Sequence, residues 1–289
     1  MSDFNRIIWL ASYPKSGNTW FRAFLANLLY HTDKPADINE LQFVSIASNR
    51  QLFDEMAGIS SSDLTFDEIE KLRPYVYEQL AENLETDIFM KIHDAFIYTS
   101  EGKLLVSEKA SKKALYFIRN PLDVAVSFAH HSCVSFDKIV KIMNTPDYSF
   151  CNSPDRLNNQ MFQRLLTWSE HIKSWTEQNI IPVKILKYED MHNDSYNIFR
   201  EALEFLELKY SNADIKRAIR FSAFNELQKQ EKKSGFKEKA PLSKMFFRKG
   251  KVGSWREELV PELTQKIISQ HFYIMKKFGY LDQSNNPVY

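Results

Sequence analysis

Apolar residues in this chain fall into short runs bounded by polar or turn-forming residues, and the runs follow two periods. Arg6 to Tyr13, with IIWLAS inside it, is an almost unbroken apolar run of strand length, the pattern of a strand buried on both faces. From Trp20 to Tyr30 the apolar positions Phe21, Phe24, Leu25, Leu28 and Leu29 are spaced for one face of a helix. Ile88 to Ile92, Ala114 to Ile118 and Val183 to Lys187 are further strand candidates, each followed by a polar or helix-starting stretch. Strands alternating with helices predict an α/β fold with a central parallel β-sheet flanked by helices. Ligands of such sheets bind at the carboxyl ends of the strands. A last amphipathic helix is expected from Pro261 to Phe278.

Pro35 to Asn83 and Phe136 to Asn159 read as longer mixed inserts between the sheet elements, natural candidates for a substrate pocket and its lid. Glu231 to Lys251 carries eight Lys or Arg against two Glu, and 231–247 is expected to be a mobile basic segment. At 289 residues the chain is near the upper size for one hydrophobic core, so one domain over 1–289 is the expectation. A content of 44% hydrophobic and 26% charged residues excludes wholesale disorder. A net charge of +1 gives no global field to hold nucleic acid or an anionic membrane, so any anion must be gripped locally. The polar start MSDFNR leads into IIWLASY, too short for a secretion signal or a membrane span. A cytoplasmic protein without membrane insertion is expected. Cys133 and Cys151 match no disulfide framework or zinc spacing, and both read as reduced thiols.

Between the first strand and the first helix stands YPKSGNTW. Free amides at a helix N-terminus and the helix dipole favour an anion there. Gly17 allows close backbone approach, Thr19 offers a cap or a hydroxyl, and Lys15 adds a mobile charge. Taken alone, the segment reads equally as an ordinary strand-to-helix turn with a surface lysine. The lysine precedes the glycine and no second glycine exists, which departs from the G-x-x-x-x-G-K-[ST] loop of ATPases and kinases. In this the chain resembles the PAPS-dependent sulfotransferase family, whose donor is 3′-phosphoadenosine 5′-phosphosulfate (PAPS). The resemblance implies that Lys15 contacts the bridging oxygen and sulfuryl group. It also implies that Ser16, Gly17, Asn18 and Thr19 hold the 5′-phosphate while Trp20 packs on the adenine side.

Downstream, ALYFI runs into RNPLDVAVS. Pro121 suits a helix start, and Arg119 stands at the strand's carboxyl end, facing the ligand crevice. By itself this is also the pattern of Arg119 paired with Asp123 and a solvated Ser127. RNPLDVAVS resembles the family's 3′-phosphate motif, implying that Arg119 and Ser127 grip that phosphate. RKGKVGSW resembles its third signature, in which Arg248, Lys249 and the Gly250 amide close over the same group. The family usually has aspartate where Ser254 stands, which puts the packing of that turn in question. Tyr188 in KYEDM, and Ser222 and Phe224 in SAFNEL, match weaker patterns that complete the adenine site; a strand-end tyrosine satisfied by a carboxylate is the alternative for Tyr188.

Sulfuryl transfer needs an in-line nucleophile, a base and positive charge on the oxygens that gain charge. His93 follows IFMKI at a strand end, and Lys91, two residues earlier, shares its face on an extended strand. A lone histidine is more often structural. The KIH placement resembles the family's lysine and histidine pair, implying His93 as general base with Lys91 and Lys15 as charge stabilisers. His130 and His131 read as packing or pocket-lining residues. No acidic pair accompanies the loop, so no metal is predicted. The implied reaction moves a sulfuryl group from PAPS to a hydroxyl or amine of a small-molecule or natural-product acceptor, leaving the bisphosphate PAP. Alternatives are a phosphotransferase or nucleotide hydrolase on the same loop, or a PAPS-binding module without chemistry. The sequence fixes neither the acceptor nor the oligomeric state.

Overall fold

The computed structural model describes residues 6–31, 33–41, 43–153 and 155–289. In chain order it begins with β1 (Ile7–Ser12), α1 (Asn18–Leu29), β2 (Val44–Ile46), α2 (Arg50–Ala57), α3 (Phe66–Glu82), β3 (Ile88–Ile92) and β4 (Ser111–Ile118). There follow α4 (Pro121–Ser132), α5 (Phe136–Met143), β5 (Ser149–Phe150), β6 (Gln163–Arg164), α6 (Trp168–Thr176) and β7 (Val183–Lys187). Five helices complete the chain: α7 (Tyr188–Asn193), α8 (Ser195–Phe205), α9 (Asn212–Phe221), α10 (Phe224–Ser234) and α11 (Pro261–Lys277). The chain forms two compact units, one of residues 6–13, 44–116 and 145–185, the other of 14–43, 117–144 and 186–289. The closing residues of β4 and β7 count with the second.

The first unit carries a five-stranded parallel sheet in the order β2-β3-β1-β4-β7. Ile7 pairs with Ile88 and Ala11 with Ile92 in parallel register, so β1 and β3 end side by side. All six residues of β1 are buried, which is why its sequence is apolar without alternation. Trp9 donates its indole N–H to Ser111 Oγ at 2.7 Å and meets Tyr77 edge-on, satisfying the one polar atom of a wholly buried ring. Helix α3 opens with a capping box in which Thr65 and Glu68 satisfy each other's backbone amides.

Segment 35–83 is more than an insert, because it supplies β2, an edge strand of the sheet, together with α2 and α3. Three residues are too few to give a period, so this strand left no signal in the sequence. Segment 136–159 holds α5 and the first strand of the small antiparallel pair β5-β6.

The turn after β3 is fixed by a buried ion pair. Arg73 donates two hydrogen bonds to Asp94, at 2.9 and 2.7 Å, with both side chains 1% exposed. Arg73 Nε donates to Tyr77 Oη, whose hydroxyl donates to Ala47 O. The Trp175 indole N–H donates to Asp94 O at 2.9 Å. Such satisfied buried charges cost much to break, so the backbone following His93 is held in one place.

In the second unit, α1 packs Phe21 and Phe24 against Phe199 of α8, with Phe21 also against Phe117. The basic segment 231–247 makes specific contacts. Helix α10 runs to Ser234, and the buried Glu231 carboxylate accepts the backbone amides of Phe246 and Phe247 at 2.6 and 2.8 Å. Phe236 and Phe247 are buried with Leu227, Ile38 and Ala23. The expectation of mobility rested on the lysines, whereas the segment is anchored by its aromatic residues and one acid. No helix among the described residues is long and apolar enough to cross a membrane.

Candidate active site

The turn from β1 into α1 is shaped by two left-handed residues. Gly17 has φ 106° and caps α1, and Lys15 has φ 68°. Such a conformation costs a lysine about 1 kcal/mol or more and persists only where the surroundings enforce it. Here the Arg119 guanidinium donates to Lys15 O at 3.2 Å. A methyl group at Gly17 would stand 2.8 Å from Tyr188 Cδ2, so glycine is required by both backbone and neighbour. Lys15 Nζ lies 3.7 Å from the centroid of the Phe246 ring, a cation–π contact.

Arg119 joins the predicted motifs of this unit. Besides Lys15 O it donates to Lys251 O at 3.1 Å, lies 4.2 Å over the Tyr188 ring, and stands 3.7 Å from Asp123. Arg119 is thus the partner of Asp123, the alternative its sequence pattern offered, and it also ties the first loop to the third signature. Asp123 spends its carboxylate mainly elsewhere, accepting from the Gly253 and Trp255 amides and the Ser254 hydroxyl at 2.8, 3.1 and 3.0 Å. Ser254 thus suits the turn, since its hydroxyl donates where an ionised aspartate could only accept.

Tyr188 opens α7 rather than ending β7, and its buried ring packs edge-on to Trp20 and His192. Burial pushes its phenol up, with Arg119 pulling the other way. His192 Nε2 donates to Gly250 O at 2.6 Å. Ser222 ends α9, buried, and donates to Ile219 O, while Phe224 begins α10 against Gly250. A Cβ at Gly250 would fall 2.1 Å from Phe224 Cδ2 at a φ of +60°. Gly250→Ala is expected to cost about 1–3 kcal/mol from backbone strain alone and to lower the melting temperature by at least about 3 °C. A thermal melt that superimposes on the wild type would show that the turn does not hold this form.

Arg248 and Lys249 are committed to acids that the sequence reading passed over. Glu258 takes Arg248 and Lys249 at 2.8 Å each and His130 at 2.6 Å, and Glu257 takes Lys249 at 2.7 Å. Burial works against the Glu258 carboxylate, but the hydrogen bonds from Lys249, His130 and Arg248 outweigh it and lower its pKa to about 2. His131 packs edge-on to Phe246. Ser127 sits two turns into α4, half-buried.

Several polar atoms around the loop are buried without a hydrogen-bond partner in the protein, among them Ser16 Oγ, Trp20 Nε1 and Arg119 Nε. Buried donors of this kind are rare unless a ligand satisfies them. Together with the glycine turn at a helix N-terminus, they fit a phosphorylated nucleotide.

His93 and Lys91 belong to the first unit. Along β3 and beyond, Lys91 and His93 are half-buried while Ile92 between them is buried, the alternation expected for two side chains on one face. His93 Nδ1 lies 2.7 Å from Ser12 O. A carbonyl can only accept, so Nδ1 carries the proton and Nε2 of the neutral ring carries the lone pair. That is the tautomer a general base needs.

Residues 5–279 match the Sulfotransferase domain family. The chain is 27% identical over 274 residues to flavonol 3-sulfotransferase of Flaveria bidentis, covering 90% of this chain and 78% of that protein. It is 24% identical over 307 residues to luciferin sulfotransferase of Photinus pyralis, covering 97% and 77%. The fold is similar to that of a mouse sulfotransferase crystallised with PAP, with a TM-score of 0.60, 18% identity, and coverage of 96% of this chain and 90% of that one. The family match spans residues 5–279 and takes in the loop that departs from the ATPase pattern: the chain belongs to the sulfotransferase domain family and is a sulfotransferase.

Proposed function

We propose that this sulfotransferase moves a sulfuryl group from PAPS to a hydroxyl or amine of a small-molecule acceptor by in-line displacement, with His93 as general base. PAPS, when bound, supplies the electrophilic sulfur and a phosphate leaving group. His93 Nε2 takes the proton of the acceptor nucleophile, and its Nδ1–H stays on Ser12 O throughout. Lys15 and Lys91 place positive charge on the oxygens that gain charge in the transition state. Ser16, Gly17, Asn18 and Thr19 hold the 5′-phosphate, and Arg119, Ser127, Arg248, Lys249 and the Gly250 amide hold the 3′-phosphate. Trp20, Tyr188, Ser222 and Phe224 flank the adenine. Segments 35–83 and 136–159 provide the acceptor side.

The observation that supports this reading most is the meeting of Arg119 with both Lys15 O and Lys251 O. One guanidinium brings the first and third motifs together around its own unpartnered Nε. The relatives' names, flavonol 3-sulfotransferase and luciferin sulfotransferase, favour a small aromatic acceptor. A relative named cytosolic sulfotransferase 12 favours action in the cytoplasm.

The test is thermal stabilisation by ligand, followed by turnover. PAP at about 100 times its Kd adds about 2.7 kcal/mol of stability and should raise the melting temperature by several degrees, whereas ATP with magnesium should do far less. A panel of small phenols, alcohols and amines with PAPS should then yield PAP for at least one member. Equal stabilisation by ATP with magnesium, or ATP hydrolysis without PAP formation in the panel, would favour the phosphotransferase reading instead.

A further inference from the structure

The strongest feature outside the predicted motifs is a closed circuit of hydrogen bonds behind His93, lying entirely within the first unit. His171 of α6 is wholly buried. Its Nε2 lies 3.0 Å from His93 O, and a carbonyl accepts, so Nε2 carries the proton. Its Nδ1 is then the acceptor and takes the Tyr116 hydroxyl proton at 2.8 Å. The Tyr116 oxygen in turn accepts the Tyr13 backbone amide. Tyr13 follows Ser12, whose carbonyl takes the His93 Nδ1 proton. The circuit therefore links the end of β1, the side chain of β4, helix α6 and the end of β3, and returns to its start.

Each member has its donor and acceptor roles fixed by the next. Burial lowers the His171 pKa to about 4, so its ring stays neutral and keeps one tautomer at ordinary pH. Tyr13 also meets the His171 ring edge-on, with centroids 5.4 Å apart. A buried imidazole is a costly way to fill space, because an apolar residue of similar size needs no partners. What it supplies here is a directed donor to the His93 backbone, in addition to the bond that the His93 ring makes itself.

We propose that His171 and Tyr116 are positioning residues for the general base, holding His93 in the place and the tautomer that leave Nε2 to accept a proton. The inference rests on the reading of His93 as that base. Loss of orientation at a base costs up to about 10²-fold in rate. His171→Phe, which keeps the ring and removes both hydrogen bonds, should reduce turnover about 10- to 100-fold, measured with whichever acceptor of the panel is turned over best. The KM for PAPS and the affinity for PAP should change less than about twofold. His171→Gln, which can still present an N–H to His93 O, should recover most of the rate.

Two further measurements separate positioning from mere packing. In 15N spectra, His93 should read in the wild type as protonated at Nδ1 and bare at Nε2, and in His171→Phe the two nitrogens should shift toward each other as tautomers mix. In a His93→Ala background, His171→Phe should change the residual turnover less than about twofold. Wild-type spectra with wild-type turnover in folded His171→Phe would overturn the proposal, as would an undiminished loss in the His93→Ala background. Full turnover of His93→Ala itself would remove the base, and with it both this inference and the mechanism it rests on. If His171→Phe does not fold, Tyr116→Phe, which deletes one hydroxyl, carries the same spectral and kinetic test with an expected loss of about 3- to 10-fold.

Discussion

His93→Ala is expected to lower turnover by about 10²- to 10⁴-fold, the range for loss of a positioned general base, while leaving the affinity for PAP within about twofold of the wild type. The loss corresponds to about 3–5 kcal/mol of transition-state stabilisation. The split between rate and affinity follows from the hydrogen bonds. His93 is tied to Ser12 O, and its carbonyl to His171, within the first unit, whereas the phosphate-loop residues and Arg119 belong to the second. The fold should tolerate the change, because the turn after β3 keeps the Arg73–Asp94 pair and the Trp175 bond to Asp94 O. Single-turnover kinetics with saturating PAPS, beside calorimetry of PAP, make the comparison. Unchanged turnover in the folded variant would take His93 out of the mechanism.

Arg119→Ala should weaken PAP binding by about 10²- to 10³-fold, in line with the 2–5 kcal/mol usual when one partner of a buried charged pair is removed. Binding of adenosine 5′-phosphate, which lacks the 3′-phosphate, should fall much less. Some loss is expected even there, since Arg119 also holds Lys15 O and Lys251 O and so keeps the first loop in its left-handed form. Removal of the guanidinium leaves Asp123 buried with its three neutral donors, so the turn at Gly253 should survive. Arg119→Lys would restore the charge but not the planar fork that reaches two carbonyls and a ring face, and should recover only part of the affinity. Calorimetry with the two nucleotides decides the matter, and equal losses for both would contradict the role given to Arg119.

The interactions of Glu257 and Glu258 alter how the third signature is understood. The two basic side chains expected on the 3′-phosphate are held by carboxylates, with Glu258 receiving Arg248, Lys249 and His130 together. An anion that binds there competes with these acids for the same donors. Glu258 is lowered toward a pKa of about 2 chiefly by those hydrogen bonds, against its partial burial. A carboxyl with a depressed folded-state pKa contributes stability above its unfolded value near 4.5, and that stability is lost as the pH falls toward about 2.

Much of this protein was legible in the chain because its information is local. A nearly unbroken apolar strand, a glycine turn and a helix with period 3.6 lie within about two dozen residues, and backbone sterics and burial act over that distance without help from the rest of the fold. The same holds for Pro121 at a helix start, for the strands at Ile88–Ile92 and Val183–Lys187, and for the final helix. β2 escaped because three residues carry no period, and the contacts of the segment before Arg248 were not legible because Glu231, though counted among its charges, accepts the amides of Phe246 and Phe247, 15 and 16 residues away. The chain order alone settled which residue types stand at the strand ends. Only the folded chain decided what those residues touch: Arg119 reaches carbonyls 104 and 132 residues away, and His93 takes its tautomer from a carbonyl 81 residues away. Hydrogen bonds of that kind depend on the path of the whole backbone, and no pattern of neighbouring residues encodes them.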